Sequence, residues 1–164
     1  MSIIYLVRHA DAQQSAPTDA DRPLSNVGHR EARRLGALLD GADERPDQFV
    51  SSSAVRARQT AEGISAGGGW DEQVPLRSVH ALYEAEPADV LEAIRGVESS
   101  LNAVMFVGHE PSWSTTVSRL VGTAQVSLPT GTCVRIDSPR PWTDVVFGAG
   151  TLRWMVPPSL TGCP

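Results

Sequence analysis

The chain has 164 residues and a mass of 17.5 kDa, the size of one domain able to bury a core of its own. Its 14 basic residues are all arginine and stand against 19 acidic ones, a net charge of −5; without lysine, Schiff-base chemistry and a Walker A phosphate loop are excluded. An acidic balance with no block of like charge argues against nucleic acid as a partner.

Ile3-Ile4-Tyr5-Leu6-Val7 is an unbroken apolar run, the pattern of a central strand covered on both faces. A polar loop from Arg8 to Leu24 follows. Ser25 is then an N-cap for a helix with Val27, Ala32, Leu35, Leu38 and Leu39 at helical spacing as far as Gly41. Phe49-Val50 reads as a short strand, and Ser52 or Ser53 as the cap of a second helix with Val55, Ala57, Ala61 and Ile64 inward, ending in Ala66-Gly67-Gly68-Gly69. Val74 to Val79 is a weaker strand. Pro87 opens a helix with Val90, Leu91, Ile94 and Val97 on one face. Ala103 to Val107 is again continuously apolar, a second central strand, and Pro111 opens a helix with Trp113, Val117, Leu120 and Val121 inward. Strands at Cys133 to Ile136, Val145 to Phe147 and Leu152 to Val156 close a single domain over residues 1–156, with 157–164 as a tail. Strands alternating with helices predict a three-layer α/β/α sandwich with a mostly parallel sheet.

No apolar run approaches the roughly 20 residues of a membrane span, and Met1–Tyr5 lacks the basic region of a signal peptide. A soluble, cytoplasmic monomer is expected. Cys133 and Cys163 are too few and too far apart for a zinc ribbon or a redox pair, and both are expected to be reduced and structural.

In open α/β sheets ligands bind beyond the carboxyl ends of the strands. Here the first strand ends in Arg8-His9, the second is followed by Ser51-Ser52-Ser53 and Arg56, and the strand from Ala103 ends in Gly108-His109. Two histidines and two arginines therefore emerge on one edge. Guanidinium forks suit phosphate oxygens, a neutral imidazole is a nucleophile for phosphorus, and a second, protonated histidine would stabilise the transition state. No metal or cofactor is required; a zinc site from His9 and His109 would lack the third and fourth ligands that zinc usually takes. His29 sits among Arg30, Glu31, Arg33 and Arg34 as part of a solvated face, His80 reads as a loop residue, and Trp70, Trp113, Trp142 and Trp154 read as packing residues.

Taken together, Leu6-Val7-Arg8-His9-Ala10, Arg22-Pro23-Leu24-Ser25 with Gly28, Ser52 through Ala61, and Val107-Gly108-His109-Glu110-Pro111 resemble the histidine phosphatase superfamily, whose fold is phosphoglycerate mutase-like. The short chain and the Asp21-Arg22-Pro23-Leu24-Ser25 stretch resemble its small SixA-type phosphohistidine phosphatases. The resemblance implies His9 as nucleophile, with Arg8, Arg56 and His109 holding the phosphoryl group and Arg22 reaching the same pocket. Ala10 departs from the usual Gly, and Asp11 stands where larger members carry Glu.

Between Thr60 and His109 the chain has little room for the covering insertions of larger members, so the site is expected to be open. Glu84 is the candidate acid for protonating a leaving group; its other reading is an exposed carboxylate before a helix N-terminus. Imidazole leaves phosphohistidine without a strong acid, whereas an alkoxide does not leave unprotonated. The expected function is thus hydrolysis of phosphohistidine on a partner protein in signal transduction. The alternatives are a broad small-molecule phosphomonoesterase acting on phosphate esters with Glu84 as general acid, and an inactive phosphate-binding module.

Overall fold

In the computed structural model, which describes residues 1–122 and 125–162, the two unbroken apolar runs become β1 (Ser2–Arg8) and β4 (Ala103–Gly108). They lie side by side in parallel, with Ile3 opposite Ala103 and Arg8 opposite Gly108. Every residue of β4 is buried, as a strand covered on both faces requires. Alternation along the strands splits the core in two. Ile4, Leu6, Val104 and Phe106 pack under α3 (Pro87–Arg95) and α4 (Ser112–Val121). Tyr5, Val7, Met105 and Val107 pack under α1 (Asn26–Gly41) and α2 (Val55–Gly68). The three layers are those expected.

With β2 (Gln48–Ser52), β3 (Leu76–Val79), β5 (Cys133–Ser138) and β6 (Thr151–Val156), the strand order is β3-β2-β4-β1-β5-β6. The first four are mutually parallel; β5 runs antiparallel to β1, and β6 antiparallel to β5. The sheet is therefore mostly parallel with an antiparallel flank.

Ser25 caps α1 as expected, its hydroxyl accepting from the Gly28 amide at 3.1 Å. The inward stripe of α1 is Gly28, Ala32, Leu35, Gly36 and Leu39, whereas Val27 and Leu38 face outward at 39% and 40% exposure, contrary to their predicted placement. The small residues have a reason: a Cβ on Gly36 would lie 2.0 Å from the Ile64 carbonyl oxygen of α2, so the two backbones touch and a larger residue would push the helices apart. In α2 the buried positions are Arg56, Ala57, Thr60, Ala61, Ile64 and Ser65, and Val55 is half-exposed.

Two further expectations are corrected. The N-cap of α2 is Ala54, with no side-chain cap, because Ser52 completes β2 and both serine hydroxyls turn to histidines instead: Ser52 Oγ lies 2.8 Å from His109 Nε2 and Ser53 Oγ 3.0 Å from His80 Nδ1. Residues 145–147 form no strand. They follow a 3-10 turn at Trp142–Asp144, and Val145 is buried in the α3–α4 core while its carbonyl accepts from Arg95 Nε at 2.9 Å, so this stretch spends its polar groups on helices rather than on the sheet.

Trp70, Trp113 and Trp142 are buried and Trp154 is half-buried, in keeping with packing roles, and His29 is exposed on α1. Cys133 is a buried free thiol held well above its ordinary pKa by burial; Cys163 lies outside the described residues. Beyond β6 the chain makes a 3-10 turn at Pro158–Thr161, and Arg34 of α1 donates to the Gly162 carbonyl. Among the described residues no helix is long and apolar enough to cross a membrane.

Candidate active site

The register of β1 against β4 builds the centre of the site. Because Arg8 is paired with Gly108, the next residue of each strand is a histidine, and the His9 amide donates to the Gly108 carbonyl at 2.9 Å. The two rings face each other with centroids 5.2 Å apart and planes tilted by 53°. His9 Nδ1 lies 2.8 Å from the Ala10 carbonyl oxygen, which can only accept. The proton of the neutral ring therefore sits on Nδ1, leaving the Nε2 lone pair available. Gly108 has no substitute here, since a Cβ would lie 2.1 Å from the indole of Trp113, which is fully buried beneath it.

Burial pushes the His9 imidazole down to a pKa of about 4; the Ala10 hydrogen bond opposes this, and the positive charges of Arg56, Arg8 and Arg22 add to it. Burial also takes His109 down to about 3, helped by His9 and Arg56. Both rings are thus neutral at neutral pH. A phosphoryl dianion between them would favour their protonated forms.

Arg8 is anchored by one nitrogen, Nη1, donating to the Leu128 carbonyl at 2.8 Å, while its buried Nε has no partner among the described residues. The Leu128 peptide is itself pinned to α4: its amide donates to Ser114 Oγ at 2.9 Å, and that hydroxyl donates to Glu110 Oε1 at 2.6 Å. Ser118, one turn further along, accepts from the Val126 amide at 3.1 Å. Four residues of helix advance about 6 Å and two residues of extended chain about 6.6 Å, so the two serines match alternate amides of the segment that carries the Arg8 acceptor.

Arg56 is 6% exposed, in the first turn of α2. It donates through Nη1 to the Asp19 backbone carbonyl at 2.7 Å and through Nη2 to Asp19 Oδ2 at 3.0 Å, while Nε is without a partner among the described residues. Asp19 also accepts from Arg22 Nη1 at 2.9 Å and from the Tyr83 hydroxyl at 2.7 Å. Its carboxyl is held well below the usual range, first by the Tyr83 hydrogen bond and then by Arg22 and Arg56. Tyr83 in turn presents its ring edge-on to His109 at 5.8 Å.

The structure thus brings together Arg8, His9, Arg56 and His109, with Arg22 joined to them through Asp19. Glu84 is exposed on the wall of a cleft of about 380 Å³ whose lining includes Asp19, Arg56, Tyr83, His109 and Glu110. His80 lies one layer out, stacked on Tyr83 with centroids 6.4 Å apart. Ala10 is buried, and its amide donates to Thr60 Oγ1 at 3.0 Å. Asp19 and Tyr83 escape a reading of the sequence as members of the site, and Ser52 is legible there only as part of the strand-end motif. Asp19 lies in a polar loop without periodicity, and Tyr83 follows a weak edge strand, so only Ser52, placed at the end of β2, carried a signal. Two permanently charged guanidiniums with free N–H groups beside a neutral imidazole are able to hold an oxyanion and attack its phosphorus.

Residues 4–91 match the family model described as histidine phosphatase superfamily (branch 1), and the chain belongs to that superfamily. An uncharacterised protein of Mycobacterium tuberculosis is 38% identical over 111 residues, 66% of this chain and 65% of that protein; the chain thus matches just under two thirds of that relative's length. Phosphohistidine phosphatase SixA of Escherichia coli is 33% identical over 61 residues, 37% of this chain and 38% of that one. A structure from Nakamurella multipartitia assigned as phosphohistidine phosphatase SixA superposes with a TM-score of 0.84 at 26% identity, covering 94% of this chain and 95% of that one.

Proposed function

We propose that this protein is a metal-independent phosphatase that works through a phosphohistidine intermediate on His9 and removes the phosphoryl group from phosphohistidine on a partner protein. The observation that carries this reading is the pair of neutral imidazoles at the joined ends of β1 and β4, with the His9 lone pair on Nε2. In the first step Nε2 forms a bond to phosphorus as the substrate P–N bond breaks. The electron pair of that bond leaves on the substrate imidazole, which takes up a proton from solvent. The free N–H groups of Arg8 and Arg56, with His109, hold the equatorial oxygens as charge builds. In the second step water attacks phosphorus, the His9–phosphorus electron pair returns to Nε2, and water's proton passes to solvent as inorganic phosphate leaves.

An open cleft supports a substrate presented on a protein surface, since small ligands are usually buried over most of their area. The identity of the partner's phosphorylated residue rests on the likeness to SixA-type proteins and on the leaving-group argument. The test is rapid-quench trapping with a radiolabelled phosphohistidine protein: a label stable to alkali and lost in acid, absent in His9→Ala, is expected. No trapped species and no hydrolysis of phosphohistidine, phosphoserine, phosphotyrosine or sugar phosphate would overturn it and leave a phosphate-binding module.

Glu84 on the cleft wall favours the second reading, a small-molecule phosphomonoesterase. If Glu84 donates a proton, Glu84→Gln abolishes turnover of an alkyl phosphate and spares an aryl phosphate; equal effects on both discard that role.

A further inference from the structure

Resting on that reading, we propose that the substrate carries positive charge beside its phosphoryl group, as a phosphohistidine set in a basic segment of the partner protein. The charges around the site are sorted. Arg56 lies buried beside His109 at the inner end of the cleft, and with Arg8 it depresses both imidazoles, while Arg22 depresses that of His9. The cleft leading away from His109 is lined instead by Glu84 and Glu86, both exposed ahead of α3, and by half-buried Glu110. Asp19, the fourth carboxylate, is already paired with Arg22 and Arg56. The other three form no salt bridge among the described residues. Glu86 accepts from the Asp89 amide in a capping box and Glu110 from the Ser114 hydroxyl, neutral donors that leave the negative charge uncompensated.

The same cleft is also unfinished on its inner side. Arg56 and His109 are each more than nine tenths buried and line it, and each keeps a nitrogen with no partner among the described residues. A ligand that sets its phosphoryl group against Arg56 and His109 and lies in this cleft runs its remainder along the three carboxylates. Sugar bisphosphates and nucleotides would bring further negative charge against them, a repulsion that low-dielectric walls concentrate. A peptide with lysine or arginine next to its phosphohistidine would bring the complementary charge, and complementary fields raise association rates and select partners. The net charge of −5 adds to the same steering.

The test compares two phosphohistidine peptides, identical except for lysine or glutamate on both sides of the phosphorylated residue, with phosphoramidate as the reference substrate. The lysine-flanked peptide is expected to be turned over with about tenfold higher kcat/KM at low salt, and the ratio is expected to fall towards one near 1 M salt, where screening acts within about 3 Å. In the double variant Glu86→Gln, Glu110→Gln, which keeps both hydrogen-bond acceptors, the low-salt ratio should drop to about threefold. A wild-type ratio of one or less, a ratio indifferent to salt, or one unchanged in the double variant overturns the inference. Failure of wild-type protein to form a phosphoenzyme from phosphoramidate would instead sink the proposed function, so the two are told apart.

Discussion

Two carboxylate hubs with nearly the same parts behave differently. Glu44 accepts from the Tyr5 hydroxyl at 2.6 Å, from Arg135 Nη1 at 2.7 Å and from the Trp154 indole at 3.2 Å. Asp19 accepts from a tyrosine hydroxyl and two arginines. At the first hub Arg135 also reaches Asp137 at 2.9 Å, its protonated form is strengthened most by that bond, and among the described residues neither it nor Glu44 has a buried polar atom without a partner. At the second, Arg56 Nε and the neighbouring His109 Nδ1 are buried without partners among the described residues, and the Asp19 side chain is 52% exposed. Leftover donors, not the presence of an ion pair, separate a site ready for an anion from a staple between elements. Buried polar groups without partners are costly, so their concentration at one sheet edge is what a bound oxyanion would relieve.

The largest break in that comparison is His9→Ala. Turnover should fall by at least about a thousandfold, with the melting temperature unchanged or higher because the ring leaves a half-buried surface; steady-state assay and thermal melt on the same sample check it. Next come Arg56→Ala and Arg135→Ala as a matched pair. The first should lower kcat/KM about 10²- to 10³-fold. The second should leave kcat/KM within about twofold and cost about 1–3 kcal/mol of stability in urea melts, since it strands a half-buried carboxylate. Loss of activity in both would erase the distinction between the hubs.

The pH dependence sharpens the contrast further. His9 and His109 have folded pKa values of about 4 and about 3, below the unfolded value near about 6.5. Protonation in that window favours the unfolded chain. The contribution is therefore full above about pH 6.5 and is lost as pH falls through the folded values. Melts between pH 7 and 4 should show a decline that flattens in His9→Asn, His109→Asn. The acid limb of kcat/KM should lie near pH 4, because the free enzyme needs neutral His9. The smallest effect expected is for Ser114→Ala, which unpins the Leu128 peptide and loosens Arg8. A three- to tenfold rise in KM for phosphorylated substrate, at nearly constant kcat, would distinguish positioning of the binding arginine from loss of fold.

Much of this arrangement is legible in the sequence where burial on both faces leaves an unbroken apolar run. Such runs located β1 and β4, and their ends located His9 and His109. Arg56 followed from its place after β2. Elements whose identity depends on neighbours were less legible. Val145 is as buried as a strand residue but is reached by Arg95 rather than by a strand. Ser52 and Ser53 have capping chemistry yet meet histidines, because a side chain chooses among partners that only the tertiary structure supplies. Val27 and Leu38 fit an apolar spacing but lie off an inward stripe that mixes Leu35 and Leu39 with Gly28, Ala32 and Gly36, the last kept small by the closeness of α2. Asp19 and Tyr83 are 64 residues apart, and no local pattern joins them.

The seam in the sheet at β1, parallel on one side and antiparallel on the other, leads to a contrast of timescales within one residue. The His9 amide is bonded to Gly108, and its carbonyl receives the Gly131 amide at 3.0 Å, so the neighbours on both flanks of β1 close over its backbone. Its ring, by contrast, is only half-buried and faces the ring of His109. In hydrogen exchange the His9 amide should belong with the slowest class, opening only when much of the sheet opens. A chemically busy side chain would then ride on one of the least yielding peptide units in the molecule.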